Sequence, residues 1–184
     1  MNNFSEKVSF IWGVADLLRG DYKQSEYGRV ILPFIVLRRL DQVLSPSREA
    51  VWEADEKSRH LPEALRERML MKAAGVGFYN TSRLDFPRLL ADPDNIAANL
   101  TGLLHGFSQN VRDIMERFRF EYQFTRLDNA NLLFLVARKF VEIDLHPYQR
   151  QADGTVRMGD DGQPLANVTN HEMGYIFEEL IRRF

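Results

Sequence analysis

Apolar positions crowd into one stretch of the chain, Tyr27 to Leu44, YGRVILPFIVLRRLDQVL. Ten of the fifteen residues from Val30 to Leu44 are aliphatic or Phe, and from Val30 to Leu37 they face every direction around a helix. That pattern predicts a central element buried on most sides. The β-branched run Val30, Ile31, Ile35 and Val36 also suits a buried strand. Arg38 and Asp41, three apart, and the continuing stripe of Leu37, Leu40 and Leu44 decide for a helix. Pro33 lacks an N–H and clashes with the preceding turn. It predicts either a kink or two helices, with Pro33 in the first turn of the second.

Around this element the pattern is helical almost throughout. Ser5 is read as the cap of a first helix with Val8, Ile11, Trp12, Ala15 and Leu18 on one face and Gly20 as its stop. Asp21 to Ser25 is a polar turn. Ser45-Pro46-Ser47 closes the central element, and Ser47 caps a charged helix to about Arg59. Pro62 at a first helical position and Gly75 just past an end bracket a helix from Pro62 to Ala74. Gly75 to Ser82, GVGFYNTS, is a loop, and Leu84 to Ala91 is a short helical turn. Asp94 caps a helix with the stripe Ile96, Leu100, Leu103, Leu104 and Phe107. Ser108 caps the next, with Val111, Ile114, Met115 and Phe118 inside. Phe120 to Leu127 is aromatic and fits either regular state. Asp128 opens a long helix with Leu132, Leu135, Val136, Phe140 and Ile143 inside and an Arg138–Glu142 pair outside.

Asp144 to Val168 changes character. Pro147, Asp153-Gly154, Gly159, Asp161-Gly162 and Pro164 predict a mobile surface excursion, an irregular loop or small β-hairpin with Gly159 to Gly162 at its tip. Thr169-Asn170-His171-Glu172 then forms a capping box, followed by Met173, Ile176, Phe177, Leu180, Ile181 and Phe184 at helical spacing. The expected fold is mainly α, a multi-helix orthogonal bundle forming one helical domain over 1–184. The excursion occupies 146–168 and a last helix 169–184. That helix ends on Phe184 inside its apolar stripe, without a stop signal. Natural termini usually fray into polar residues, so the sequence is expected to be the front piece of a longer protein, its last helix leading toward a catalytic domain.

Composition narrows the function. The chain has 184 residues, with 24 Lys and Arg against 26 Asp and Glu, a net charge of −2. This excludes a surface that is basic all over, yet allows a local basic face. The most basic window, Lys57 to Lys72, holds five Lys or Arg and two acids. Cysteine is absent, which excludes disulfides, thiolate metal sites and a Cys nucleophile. No run approaches a membrane span, and MNNFSEKVSF lacks the basic-then-apolar form of a signal peptide. A cytoplasmic protein with no membrane partner is expected.

Familiar catalytic patterns fail on single residues. A phosphate-cradling G-x-G-x-x-G would need glycine where Asn80 stands, and H-E-x-x-H would need histidine where Tyr175 stands. His60, His105, His146 and His171 have no ligand spacing. Glu178 and Glu179 are adjacent and point apart on a helix. There is no G-x-S-x-G and no Walker lysine. Asp92-Pro93-Asp94-Asn95 lacks the second proline and the aromatic of the D-P-P-Y and N-P-P-F motifs of amino-methylating enzymes. No catalytic, cofactor-binding or metal residue is assigned.

Several blocks taken in order carry a resemblance. They are Trp12, Ala15 to Gly20 (ADLLRG), Tyr27, Ile31-Leu32-Pro33 and Leu37 to Asp41 (LRRLD). Phe78 to Ser82 (FYNTS) follows, then the block through Phe107 to Phe118 (GFSQNVRDIMERF from Gly106). Phe140 with Asp144-Leu145, and Met173 to Phe184 (MGYIFEELIRRF), complete the set. Together they resemble the N-terminal domain of the modification subunit of type I restriction–modification systems, with 147–168 least typical. The resemblance implies a parent enzyme, a DNA adenine-N6 methyltransferase using S-adenosylmethionine. Its partners would be double-stranded DNA, a specificity subunit, a restriction subunit and a second modification subunit. The cofactor glycine motif and the N-P-P-F-type motif that holds a flipped adenine would lie in a later domain. This piece would help close the complex around DNA and contact other subunits, binding no cofactor itself.

Arg19, Lys23, Arg66, Arg68 and Lys72 are the candidate DNA-facing cations, since a basic residue near phosphate raises affinity without reading sequence. Tyr79 and Asn80 are loop candidates for the same role. Arg38, Arg39 and Asp41 are read as a structural charge cluster. Two alternatives stand beside this: a stand-alone helical interaction module, and a helix–turn–helix regulator presenting Gln109, Asn110 and Arg112 to the major groove.

Overall fold

The computed structural model describes residues 2–184, with side chains from Glu6 onward. The described chain is mainly α, with ten α-helices and isolated bridges in place of any named strand. It divides into two compact units, residues 1–43 with 130–184, and residues 44–129.

The first unit is built on α2 (Tyr27–Leu44). Val30, Ile31, Phe34, Ile35 and Leu37 are fully buried, as the all-round apolar pattern requires. Pro33 lies inside one continuous helix, so the two-helix alternative does not hold. α1 (Asn2–Leu18) starts before Ser5, and the Ser5 side chain lies outside the described residues. Ile11, Val14, Ala15 and Leu18 face inward, and α1 packs on α9 (Leu133–Val141) and α10 (Asn170–Arg183). Phe140 of α9 stacks on Phe34 at 5.2 Å between ring centroids and meets Phe10 edge-on at 5.1 Å. Trp12 and Tyr27 close on the Phe184 ring.

The polar edge of α2 is also structural. Arg38 donates to the carbonyls of Val141 and Ile143, both at 3.3 Å, and pairs with Asp41. These carbonyls belong to the end of α9 and the turn after it, where no intrahelical donor remains. Arg39 donates to Leu145 O and, at 2.9 Å, to Val168 O.

Three sequence expectations change in this unit. The long helix from Asp128 is instead the end of one helix and then α9, because Asn131 takes a left-handed φ of 55° that stops a helix. Glu142 pairs with Lys139 rather than Arg138. The 147–168 excursion makes two tight turns rather than one hairpin. Residues near Gln149 pair with both Arg157 and Leu165, and the second turn sits at Gly159 to Gly162. The capping box at Thr169 forms as read, with Glu172 N donating to Thr169 Oγ1 at 3.2 Å and Thr169 N to Glu172 at 2.8 Å.

The second unit holds α3 (Arg48–Ser58), α4 (Glu63–Ala74), α5 (Phe86–Leu90), α6 (Ile96–His105), α7 (Gln109–Arg117) and α8 (Phe120–Asn129). α3 and α4 pack against each other as a helical pair joined by only four residues. Pro62 sits one residue before α4 rather than inside it, while Gly75 ends α4 at a left-handed φ of 70°, its N–H reaching Met71 O. Ser47, Ser108 and Asp94 do not cap by side chain. Ser47 Oγ turns back to Leu44 O, Ser108 Oγ meets Asn110, and Asp94 lies in a 3-10 turn whose Asn95 is held by Asp92. Asp85 is a true cap, accepting from Arg88 N at 2.9 Å. The α6 stripe is buried as expected, and so are Val111 and Met115, but Ile114 faces outward. Phe120 to Leu127 proves helical, with Phe120 and Phe124 packed at 4.5 Å.

Candidate nucleic-acid interface

The candidate cations fall into two groups by their local chemistry. Arg19 is exposed and paired with Asp16 at 2.6 Å. Lys23 is exposed at the start of a 3-10 turn, where its backbone N–H donates to Glu26. Both belong to the first unit. The other candidates belong to the second.

On α4 the sequence window separates into an inner and an outer part. Arg66 is half-buried and bonds Asp55 of α3, which also takes Arg59 at 3.0 Å. Burial by itself would raise the Asp55 carboxyl, but the hydrogen bonds from Arg66 and Arg59 hold it below its ordinary value. Arg66 and Arg59 are therefore already committed. Arg68 and Lys72 are exposed, and helical spacing places them on one strip with Leu65 and Met69, which are exposed as well. Glu63 and Glu67 fall roughly half a turn round the helix from Leu65. The outward strip of α4 thus carries two cations, two apolar residues and no acid.

The loop candidates have structural work. Asn80 is buried: Nδ2 donates to Leu103 O at 3.0 Å and Oδ1 accepts from Ser82 N at 2.7 Å. Tyr79 and Thr81 bridge to Ser108 and Gly106 through the backbone, locking the loop against the end of α6. Gly106 is required there, because a Cβ would run into Asn80 and Ser82. Tyr79 is half-buried, and burial, with Glu67 nearby, pushes its hydroxyl above the ordinary tyrosine value.

The fold also assembles a second cationic patch, which the sequence pattern does not reveal. Arg83 and Arg88 flank the Trp52 ring of α3 at 4.8 and 5.3 Å, and the indole N–H donates to Ser82 O at 2.8 Å. Arg48 and Arg88 share Asp85, and Arg83 pairs with Glu56. The signal available in the sequence is a lone Trp in a charged helix and two arginines five residues apart. Neither announces the other.

The three residues of the helix–turn–helix alternative make bonds within their own unit. Gln109 bonds Asp113, Asn110 bonds Gly77 O at 2.8 Å, and Arg112 bonds the carbonyls of Phe107 and His105. Arg38 and Asp41 pair as a structural charge cluster would, while Arg39 bonds the carbonyls of Leu145 and Val168 and the Asn170 side chain instead. Among the described residues, no group of His, Asp or Glu is placed to hold a metal ion, and no helix is long and apolar enough to cross a membrane.

The family model described as the HsdM N-terminal domain matches residues 7–140. The match runs from within α1 to within α9 and stops before the 147–168 excursion and α10. No curated protein and no solved structure matches the chain.

Proposed function

The chain belongs to the HsdM N-terminal domain family, that of type I restriction–modification modification subunits, and from that membership we propose that it is the helical module of a site-specific DNA adenine-N6 methyltransferase. The parent enzyme draws its methyl group from S-adenosylmethionine in a separate catalytic domain. This module clamps double-stranded DNA and contacts the specificity subunit, a restriction subunit and a second modification subunit. It contributes affinity and closure, and the chemistry lies elsewhere.

The observation that carries the DNA part of the reading is the outward strip of α4. Arg68 and Lys72 have no acid beside them on that strip, so their charge is available to phosphates. Arg19 and Arg66 add positive potential while bonded within the chain, and exposed Lys23 adds its own. Tyr79 lies in the loop that follows α4 and offers a further DNA contact, and Asn80 serves by holding that loop in place. Contacts of this kind raise affinity uniformly across sequences, which suits a subunit that leaves sequence reading to a partner.

The experiment for the enzyme part is to read the natural coding sequence past Phe184. A cofactor glycine loop and an Asn-Pro-Pro-Phe-type motif within roughly one domain length are expected. A stop codon directly after Phe184 would overturn the methyltransferase reading.

A further inference from the structure

Residues 147–168 form a lobe that stands on a neck of two chain segments. Arg39 bonds one carbonyl on each segment, Leu145 O and Val168 O, and reaches Asn170 Oδ1 at 3.1 Å. Gln42 holds the same neck, donating to Asp144 at 3.0 Å and accepting from Leu145 N at 2.7 Å. Asn167 ties the segments together through Asp144 and His146 O. Beyond the neck, no residue from Pro147 to Asn167 is buried. The lobe is therefore held by its neck and by its own turn hydrogen bonds, and a segment with so little burial opens at low cost.

His146 sits at the centre of that neck with 1% of its surface exposed. Nδ1 lies 2.7 Å from Tyr148 O and 3.0 Å from Tyr148 N, while Nε2 has no hydrogen-bond partner among the described residues. Three charged groups bear on the ring: Arg39 from α2, and Arg150 and Asp144 from its own segment. With the proton on Nδ1, a neutral ring donates to Tyr148 O and leaves only the Nε2 lone pair without a partner. A protonated ring would carry a second N–H with no acceptor, buried, beside two guanidiniums and one carboxylate. Burial accordingly pushes the imidazole below its ordinary value.

We propose that His146 makes this neck an acid-released latch, in which uptake of one proton frees the 147–168 lobe from α2 while the helices of the unit stay folded. The inference stands apart from the DNA reading and needs no partner.

Hydrogen exchange on the whole chain from pH 7.5 to 5.0 tests it, with rates corrected for intrinsic pH dependence. The amides that seat the lobe, Leu145 on Gln42 of α2 and Val168 on His146 O, are expected to lose protection by up to about tenfold per pH unit, the limit for one proton. Amides of α2 and α9 keep theirs. His146→Gln flattens the lobe profile, while Asp144→Asn, which removes the one carboxylate favouring the charged ring, retains a pH dependence that extends to lower pH than in the wild type. If His146→Gln opens the lobe already at pH 7.5, the wild-type ring is followed by NMR, and its titration must share its midpoint with lobe opening. Unchanged lobe protection across the range overturns the latch. So does an unaltered pH profile in His146→Gln, or a ring that titrates while the lobe stays protected.

Discussion

Gly106 leaves open the space that the Asn80 side chain occupies, and Asn80 uses it to donate to Leu103 O at 3.0 Å and to accept from Ser82 N. The absence of a Cβ at one residue thus fixes the polar loop that carries Tyr79 and Thr81.

Asn80→Ala leaves the Leu103 carbonyl and the Ser82 N–H without their partner in a buried place. The expected cost is about 1–3 kcal/mol, read as a lower denaturation midpoint in urea with an unchanged slope. Gly106→Ala is expected to destabilise as well, since neither Asn80 nor the Ser82 backbone can retreat freely. Both variants lose stability.

Phe34 and Phe140 stack at the centre of the first unit, and both are fully buried. Phe140→Ala is expected to cost about 3–5 kcal/mol through the burial it forgoes and the cavity it leaves. Chemical denaturation followed by circular dichroism checks this. A cost under about 1 kcal/mol would mean that α9 packs loosely on α2.

Asp55 gives the second unit a pH dependence of known sign. Its carboxyl is held below the ordinary value of 3.8 by Arg66 and Arg59. The stability it contributes is therefore complete above that value and is lost as pH falls through the lower folded-state value. Urea midpoints between pH 7 and pH 2.5 should fall on the acid side. Asp55→Asn should reduce the neutral-pH midpoint and flatten the acid limb. An acid limb identical in the variant would remove Asp55 as its source.

What the sequence carries well is local. The capping box at Thr169 and the stop at Gly75 each depend on residues within one turn, and both form where the spacing puts them. The α2 core is legible because apolar residues on every side of a helix have only one place to go. Asn131 is not, because a left-handed residue between two apolar runs leaves the helical period almost intact. The excursion shows the same limit. Its Asp-Gly turns are visible, but the pairing of Gln149 with both Arg157 and Leu165 depends on contacts between separate runs. At the candidate interface, charge alone puts Arg66 and Arg68 in one class. The fold separates them, since Asp55 on the neighbouring helix claims Arg66 and leaves Arg68 outward. Trp52 with Arg83 and Arg88 is invisible in the sequence because its members meet only across a loop.

The outward strip of α4 is the most direct test of the DNA reading. Arg68→Gln with Lys72→Gln, in the assembled enzyme, should weaken DNA binding equally for cognate and non-cognate duplexes. The slope of log affinity against log salt should fall by about 0.9 for each phosphate no longer neutralised, or about 1.8 for the pair. Affinity and slope unchanged from wild type at every salt concentration would contradict the assignment of this strip to DNA.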